Sequence, residues 1–468
     1  NDQDDNTDPG DSDDNDQDDN TDPGDSDDND GVGDGVSDAE SDPSVSAPES
    51  QAMDIYINGK PESAGVITIT DVNGRKTAVI TLNENVLDQK VNHEEEQSVI
   101  AIYAPVESEV VISELTGRII KQMEAREAVV EFHTDRASYI IPAPLFKIGE
   151  IANQFGTDVS LQDIKVQIEI VTPSEEEIRL VEDEANSQDI VIIVPPVHFS
   201  IRAMHDDQAT EIAYFQAFVE RLIAMPDDVD PSRITTGVYI APDGTIHHVP
   251  TRIVVIDGKT YARINSLTNS MYSVIWHQAT FLDIVGHWAS DIIGNLGNRL
   301  VLRGYEDGTF RPDQPITRAE FAAYLVRGLG LRGQHGSISF SDVTENDWYH
   351  EVALTAGAYG LIRGYADGRF AGSDRITREQ AMTIIARAMV LTGLNGDAAD
   401  ASEHEILRSF TDADRVAEWA RRDVATGVQA GIVFGKAHGG LAPQDMLSRA
   451  EAAVLVYRLL VQSGLIDE

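Results

Sequence analysis

Three arginines occupy one recurring position in this sequence, and arginine is well suited to binding a carboxylate. The segments ITRAE (316–320), ITREQ (376–380) and LSRAE (447–451) place them at Arg318, Arg378 and Arg449. A guanidinium presents a planar fork of donors that matches the two oxygens of a carboxylate, and a helix start adds affinity for anions. A cation at a helix start is itself mildly unfavourable. Its threefold recurrence therefore predicts a binding function for an acidic ligand.

Each arginine directly follows a residue that can cap a helix. The predicted capping boxes pair Thr317 with Glu320, Thr377 with Gln380, and Ser448 with Glu451. Apolar residues then recur at helical spacing in all three segments: Phe321, Leu325 and Leu329; Ala381, Ile385 and Met389; Ala452, Val456 and Leu460. One apolar stripe per helix predicts that the three helices meet in a central bundle.

The segments before these helices also repeat. Each repeat opens with Phe-x-Asp, which gives Asp283, Asp342 and Asp412, and continues to a tryptophan at Trp288, Trp348 or Trp419. A glycine-containing loop follows: RGYEDGTF (303–310), RGYADGRF (363–370) and FGKAHGGL (434–441). We expect the tryptophans to anchor the core, and the aspartates either to cap the chain or to contact a ligand. A single helical pair cannot bury its apolar face, so the three units should fold together.

The stretches FLDIVGHWA, GYEDGTF and ITRAE resemble S-layer homology (SLH) repeats, and the resemblance covers about residues 281–468. It implies an all-α triple repeat that forms a pseudo-threefold spindle. It also implies grooves that bind a secondary cell-wall polymer on peptidoglycan, often bearing a pyruvate ketal, in Gram-positive bacteria. The implied polymer-binding residues are Arg318, Arg378, Arg449, Gly304, Gly364, Gly435, Asp283, Asp342, Asp412, Tyr305 and Tyr365.

Two departures from the SLH pattern concern the second and third repeats. Gln380 replaces the glutamate of the second box, a mild change because glutamine also caps a helix. The third loop lacks the tyrosine and the aspartate, and Lys436 stands at the tyrosine position. The third groove, in which Arg449 is expected to serve the loop of its own repeat with Gly435, should therefore bind differently or not at all.

In residues 51–280, apolar and polar residues alternate as they do in β-strands. The stretches GVITITD and KTAVITLN flank VNGR, an Asn-Gly hairpin signal. Helices are expected at Glu114–Ala125 and Ser174–Glu184. The apolar residues of ATEIAYFQAFVERLIAMP (209–226) fit the periodicity of a helix or that of a strand. His247 and His248 are adjacent on a predicted strand, so they should face opposite sides and not share a metal. We interpret this region as a β-rich, sandwich-like stalk or adapter of one or two modules, similar to a β-domain that often precedes SLH repeats.

The charge of the chain limits its partners. The formal net charge is −45, and the 468 residues include no cysteine and no run of apolar residues long enough to span a bilayer. Such a charge repels phosphate backbones and anionic surfaces, so we expect no nucleic-acid partner and no membrane insertion. No catalytic, metal-binding or cofactor motif is visible. The sequence therefore predicts neither an enzyme nor a cofactor.

The first 50 residues are strongly acidic, with 18 Asp, 2 Glu and no basic residue, and NDQDDNTDPGDSDD is repeated at 1–14 and 15–28. Because apolar residues are scarce, we predict a disordered, extended spacer. The alternative is weak calcium binding, since Asp28, Asp30 and Gly31 are similar to aspartate-rich repeats of the thrombospondin type 3 kind. However, the glycine and distal glutamate of an EF-hand loop are not in register.

The predicted organisation is a disordered linker (1–50), a β-rich region (51–280) and three repeats (281–339, 340–409, 410–468). The predicted function is non-covalent anchoring of a surface protein to the bacterial cell wall, and the predicted localisation is the exported, wall-bound surface. Because the sequence opens on Asn1, we expect a processed product or a piece of a longer chain. Two alternatives stay open: an anchored carbohydrate-active enzyme with its catalytic domain upstream, and a self-assembling S-layer subunit.

The acidic segment should remain extended whether or not calcium is present, because it has very few apolar side chains to bury. Titration of a peptide of residues 1–50 with calcium at physiological salt should show no micromolar binding by calorimetry. Circular dichroism should show no gain in secondary structure. Micromolar binding accompanied by folding would instead support the calcium-repeat interpretation.

Overall fold

The computed structural model describes residues 49–72, 74–93, 96–230, 233–333, 338–394 and 402–468. The predicted acidic spacer therefore lies outside the described residues, apart from Glu49 and Ser50, which begin the first strand. Everything described below belongs to one compact unit that spans Ser46–Glu468.

The described residues before the repeats include sixteen strands. They are β1 (Glu49–Ile57), β2 (Lys60–Val72), β3 (Arg75–Leu82), β4 (Val99–Tyr103), β5 (Val110–Thr116), β6 (Val129–His133), β7 (Ala137–Pro142), β8 (Lys165–Val171), β9 (Val191–His205), β10 (Gln208–Glu211), β11 (Tyr214–Ala224), β12 (Thr236–Ile240), β13 (Ile246–Val249), β14 (Thr251–Ile256), β15 (Lys259–Thr268) and β16 (Ser270–Trp276).

These strands belong to a single sheet, in the order β13-β12-β16-β9-β8-β5-β3-β2-β1-β4-β6-β7-β11-β15-β14, with β10 paired to β9. The pairs β3–β5 and β4–β6 are parallel, and the other neighbours are antiparallel. The predicted hairpin is confirmed, since Val72 pairs with Arg75. The ambiguous stretch becomes strands β10 and β11. Three consecutive residues near the end of β11 (221–223) are buried, so this part does not alternate and its pattern suits a strand as well as a helix.

The sheet curls until strands far apart in its order touch. The rings of Tyr139 on β7 and Phe199 on β9 meet edge to face, 5.3 Å between centroids, and Phe199 also contacts Tyr272 on β16. The enclosed side is one apolar cluster that draws residues from β1 through β16. The β-rich prediction is confirmed, but the arrangement is one barrel-like sheet instead of the sandwich-like modules expected. Sequence alternation shows which face is buried, and it does not show which strands meet across the interior.

Eleven helices are described: α1 (Glu84–His93), α2 (Gly117–Ala125), α3 (Ile148–Phe155), α4 (Glu175–Ser187), α5 (Ser290–Asn298), α6 (Arg318–Gly328), α7 (His350–Ala358), α8 (Arg378–Leu391), α9 (Glu403–Leu407), α10 (Arg421–Gln429) and α11 (Arg449–Gln462). The helix predicted after Ser174 is confirmed and begins with a complete capping box. The helix predicted at Glu114 begins only at Gly117, because the preceding residues complete β5.

The apolar stripes of α6, α8 and α11 share one core. All nine predicted stripe residues are at most 1 % exposed and belong to a single hydrophobic cluster: Phe321, Leu325, Leu329, Ala381, Ile385, Met389, Ala452, Val456 and Leu460. Helices α6 and α11 approach closely, since a Cβ added at Gly328 would lie 3.2 Å from Val456 Cγ1. The predicted burial of the three stripes in a common core is confirmed.

The β-rich region and the repeats meet along β13 and β14. Gly330, just after α6, has φ +61°, and a Cβ there would lie 3.0 Å from Pro250 Cδ, so glycine permits both the turn and the contact. Asp467 accepts hydrogen bonds from Ile253 N at 2.7 Å and Arg252 Nε at 3.2 Å. Leu267 of β15 joins the core of the repeats.

The stability of the protein should depend on the side chains of α8 that face the central core, and not on those that face solvent. Ile385→Ala removes a fully buried side chain and should lower the free energy of unfolding by about 2–5 kcal/mol. Val390→Ala, on the same helix but 70 % exposed, is the matched control and should change it by less than about 0.5 kcal/mol. Urea denaturation of both variants measures the difference, and equal effects would contradict a core built on these stripes.

His248, on β13 at the junction, should make stability depend on pH. Burial, and then the positive charge of Arg299, lowers its pKa to about 3, whereas a histidine in an unfolded chain titrates near ~6.5. Between these values only the unfolded chain binds the proton, so stability is lost as pH falls below about 6.5. From pH 7 to pH 5 the parent should lose about 2 kcal/mol more than His248→Gln. Urea denaturation at both pH values measures the free energy of unfolding of the two proteins. Equal losses in the parent and in His248→Gln would contradict a neutral buried histidine.

Candidate functional site

The starts of α6, α8 and α11 are joined in a closed ring of backbone hydrogen bonds. Ile316 N donates to Leu447 O at 2.9 Å, and Leu447 N donates to Ile376 O at 3.0 Å. Ile376 N closes the ring on Ile316 O at 3.4 Å. The three residues before the caps therefore hold each repeat against the other two.

The first two N–H groups of each helix also donate to another repeat. Arg318 N donates to Asp374 O at 2.9 Å, Arg378 N to Asp445 O at 3.0 Å, and Arg449 N to Gln314 O at 3.0 Å. The three capping boxes are complete and use the third N–H of each helix. The expectation that these helix starts add anion affinity is therefore wrong, because their free N–H groups already have partners.

Each arginine side chain reaches out of its own repeat to the loop of another. Arg449, of the third repeat, donates through Nε to Phe310 O at 2.8 Å and contacts Arg303 O, both in the first loop. Arg378, of the second repeat, donates through Nε to Leu441 O at 2.8 Å in the third loop. We name each groove by its loop: the first contains Arg449, the second Arg318 and the third Arg378. The assumed pairing of each arginine with its own loop is wrong.

Two of the three arginines already have a carboxylate partner. Arg449 pairs with Glu320 at 2.6 Å, and Arg378 pairs with Glu451 at 3.1 Å. Burial alone would raise the pKa of Glu320, but the hydrogen bonds from Thr317 and the charge of Arg449 outweigh it and lower that pKa. These capping glutamates therefore serve twice, as helix caps and as counter-ions.

The second groove lacks this ion pair, because Gln380 stands at the position of the glutamates. Arg318 is 7 % exposed, its Nε has no hydrogen-bond partner, and no carboxylate lies within ion-pair distance among the described residues. Its guanidinium lies 5.0 Å from the centre of the Tyr365 ring. Burial lowers its pKa. A buried charge without a counter-ion is costly, and a bound anion would offset that cost.

The three aspartates hold the loops in place. Asp283 accepts from Phe310 N and Arg311 N, both at 2.7 Å, and Asp412 accepts from Leu441 N and Ala442 N at 2.7 and 2.8 Å. Asp342 does the same for the second loop. Both carboxylate oxygens of each residue are therefore engaged with backbone N–H groups.

The loop glycines pack under the phenylalanine that opens each repeat. A Cβ at Gly304 would lie 2.9 Å from Phe281 Cε1, and Gly364 and Gly435 have equivalent contacts with Phe340 and Phe410. Tyr305 donates to Glu320 Oε1 at 3.1 Å, beside the Arg449 pair. Tyr365 is 40 % exposed at the mouth of the second groove.

The tryptophans are exposed, and the expectation that they anchor the core is wrong. Trp288, Trp348 and Trp419 are 66, 61 and 57 % exposed. Buried alanines, Ala289 and Ala420, or Tyr349 follow them and occupy the core instead. Exposed indole rings provide apolar faces on which a sugar ring can stack.

The first groove encloses a cleft of about 330 Å³. Its walls come from all three repeats: Tyr324 and Arg327 of the first, Trp348 of the second and Arg449 of the third. The Tyr324 hydroxyl is buried without a hydrogen-bond partner. Within the described ranges, the Arg327 side chain makes no hydrogen bond or ion pair. Sequence reasoning missed both residues as groove residues, although Arg327 recurs at one offset as Arg387 and Arg458.

The described parts of the chain contain no cluster of three or more His, Asp or Glu side chains positioned to hold a metal ion. They also contain no helix with the length and apolarity needed to cross a membrane.

Comparison with known proteins matches the grooved region to a family. The sequence model of the S-layer homology domain matches residues 280–322, 339–382 and 409–453. An amylopullulanase of Thermoanaerobacterium thermosulfurigenes is 33 % identical over 50 % of this chain and 12 % of its own length. A cellulosome-anchoring protein of Acetivibrio thermocellus is 34 % identical over 32 % of each chain. The surface-layer 125 kDa protein of Lysinibacillus sphaericus is 28 % identical over 38 % of this chain and 14 % of its own length.

The chain therefore spans at most 32 % of the length of each of these relatives. The matches coincide with the repeats that build the three grooves. The chain is therefore a cell-surface protein that carries three S-layer homology domains.

Proposed function

We propose that this chain anchors a surface protein to the cell wall without a covalent bond, by binding an acidic secondary cell-wall polysaccharide in the grooves between its SLH repeats. The repeats would form a pseudo-threefold spindle, as the closed hydrogen-bond ring among Ile316, Ile376 and Leu447 suggests. The match to the SLH family and the similarity to a cellulosome-anchoring protein support a role in anchoring.

The observation that carries the proposal is the unpaired charge of Arg318 in the second groove. The equivalent arginines, Arg449 and Arg378, have glutamate partners, whereas for Arg318 the position equivalent to those glutamates is held by Gln380. A ligand carboxylate, such as that of a pyruvate ketal, would supply the missing counter-charge and accept two parallel bonds from the guanidinium. We therefore propose the second groove as the principal polymer site, with Tyr365 and Gly364 forming its loop wall.

The first groove is proposed as a further polymer site, and the third as the weakest. In the first, the unpaired Arg327, the unsatisfied Tyr324 hydroxyl and the exposed Trp348 suit an acidic glycan. In the third, Lys436 occupies the tyrosine position and lies near Glu451, which also holds Arg378. Asp283, Asp342 and Asp412 are proposed to act by holding the loops, since their oxygens are engaged there.

The anchored cargo is a separate proposal. Amylopullulanase, exoglucanase and endo-xylanase are among the names of the relatives, each of which extends well beyond the part matched by this chain. These names favour a carbohydrate-active domain as cargo, held at the wall by the repeats. Within residues 49–468 we propose no catalytic role.

Binding to walls should depend on Arg318 more than on the other two arginines. The probe is sedimentation with purified cell walls, before and after acid extraction of the polysaccharide. Arg318→Ala should weaken binding about 30-fold or more, because a charge-assisted bond in a desolvated groove is lost. Arg378→Ala, in the third groove, should have the smallest effect. Arg408→Ala, at an exposed arginine just before the third repeat, is the control and should bind like the parent.

Two charge exchanges sharpen this test. Gln380→Glu should give Arg318 an internal partner and weaken binding, whereas Glu320→Gln should free Arg449 and strengthen it. Thermal unfolding of each variant checks that the fold survives, since glutamine and glutamate both complete the cap. If Arg318→Ala and Gln380→Glu are folded and bind walls like the parent, the second groove is not the polymer site. Equal sedimentation with extracted walls would contradict polysaccharide binding altogether.

A further inference from the structure

A second cavity adjoins the first groove where the repeats meet the β-rich region. Its volume is about 310 Å³. One wall is formed by Tyr239 of β12 and His247 of β13, and the other by Arg327 of α6 and Arg332. Arg303, of the first loop, completes it. Only part of this cavity comes from the SLH repeats, so the β-rich region contributes to whatever binds there.

Three arginines with few partners line this cavity. Arg303 and Arg327 make no hydrogen bond or ion pair through their side chains within the described ranges. Arg332 donates to Ser270 Oγ at 3.1 Å and lies over the Tyr239 ring at 4.2 Å, which leaves further N–H donors available. Glu351 is the carboxylate that lines the cavity in the described part of the chain, and it is exposed.

The positive charge concentrates here in a chain whose net charge is −45. Burial, and then the charge of Arg303, lowers the pKa of Arg327 to about 10. Burial, followed by Arg303 and Arg332, lowers the pKa of His247 to about 4. Both shifts have the direction that neighbouring cations impose, and an anion in the cavity would relieve the repulsion.

The cavity walls are held by contacts on both sides. His247 stacks on Tyr239 with 4.8 Å between ring centres, and Thr245 Oγ1 lies 3.0 Å from His247 Nε2. On the other side, the close approach of Gly330 to Pro250 fixes the end of α6. Walls held in this way reduce the cost of ordering side chains on binding.

The cavity and the cleft of the first groove are neighbours. Arg303 and Arg327 line both spaces. A glycan that stacks on Trp348 in the groove can therefore extend past these arginines toward Arg332. The combined space of about 330 Å³ and about 310 Å³ fits several sugar residues better than one.

We propose that Arg303, Arg327 and Arg332, with Tyr239 and His247, form an oxyanion site for a second acidic substituent of the glycan that occupies the first groove. This inference rests on the proposed polymer binding. The substituent carries either a carboxylate or a phosphate, which have in common the oxygens that guanidinium groups bind. The β-rich region is then part of the polymer site as well as a support for the repeats.

The test uses the full chain and purified wall polysaccharide in calorimetry. Arg332→Gln removes a charge outside the SLH motifs and should weaken binding about tenfold or more. Arg332→Lys should be intermediate. Arg408→Gln, which removes the same charge from an exposed position, should bind within about twofold of the parent. Val352→Glu, which adds a carboxylate to the cavity wall, is a second variant in case Arg332→Gln unfolds.

The polysaccharide is also tested after two treatments. Mild acid removes ketal-linked carboxylates, and hydrogen fluoride cleaves phosphodiesters. The treatment that abolishes the difference between parent and Arg332→Gln identifies the substituent. Folded Arg332→Gln and Val352→Glu proteins that bind the untreated polymer like the parent would overturn the junction site, whereas a loss in Arg318→Ala alone would leave the anchoring proposal intact. A parent that does not bind the polymer would overturn both.

Discussion

The closed exchange of backbone hydrogen bonds at the starts of α6, α8 and α11 is the constraint on which the repeats depend. Each helix start is completed by carbonyl groups of another repeat, so no repeat can satisfy its own backbone. The three apolar stripes converge because their starting points are fixed together. The same contacts carry Arg318, Arg378 and Arg449 across repeat boundaries, which is why every groove is a composite.

This composite character explains how one substitution can change a groove in a different repeat. Gln380 belongs to the second repeat, and the arginine left without a counter-ion, Arg318, belongs to the first. A glutamate at this position would both cap α8 and neutralise Arg318, as Glu451 does for Arg378. Glutamine performs only the capping role. Helix stability is therefore retained while the electrostatics of the groove change.

Much of the repeat architecture could be predicted from the sequence, because it depends on local chemistry. The capping boxes and apolar stripes follow from spacing alone, and they are present as predicted. The loop that each arginine side chain contacts could not be predicted, since it depends on how the repeats pack against one another. The exposure of Trp348 was missed because the adjacent Tyr349, not the tryptophan, turns toward the core. In the β-rich region, alternation predicted strands, but the curl that brings Tyr139 to Phe199 depends on long-range packing.

Asp467 links the end of the third repeat to β14, in addition to the covalent connection after Trp276. The β-rich region and the repeats are thus joined by the chain itself and by contacts that include the hydrogen bonds from Ile253 and Arg252 and the packing of Gly330 on Pro250. Mechanical tension applied through the β-rich region would be divided between the covalent connection and these contacts. Bending at the covalent linker would be restricted. The sheet and the helices would then respond to a pulling force at the cell surface as one rigid unit.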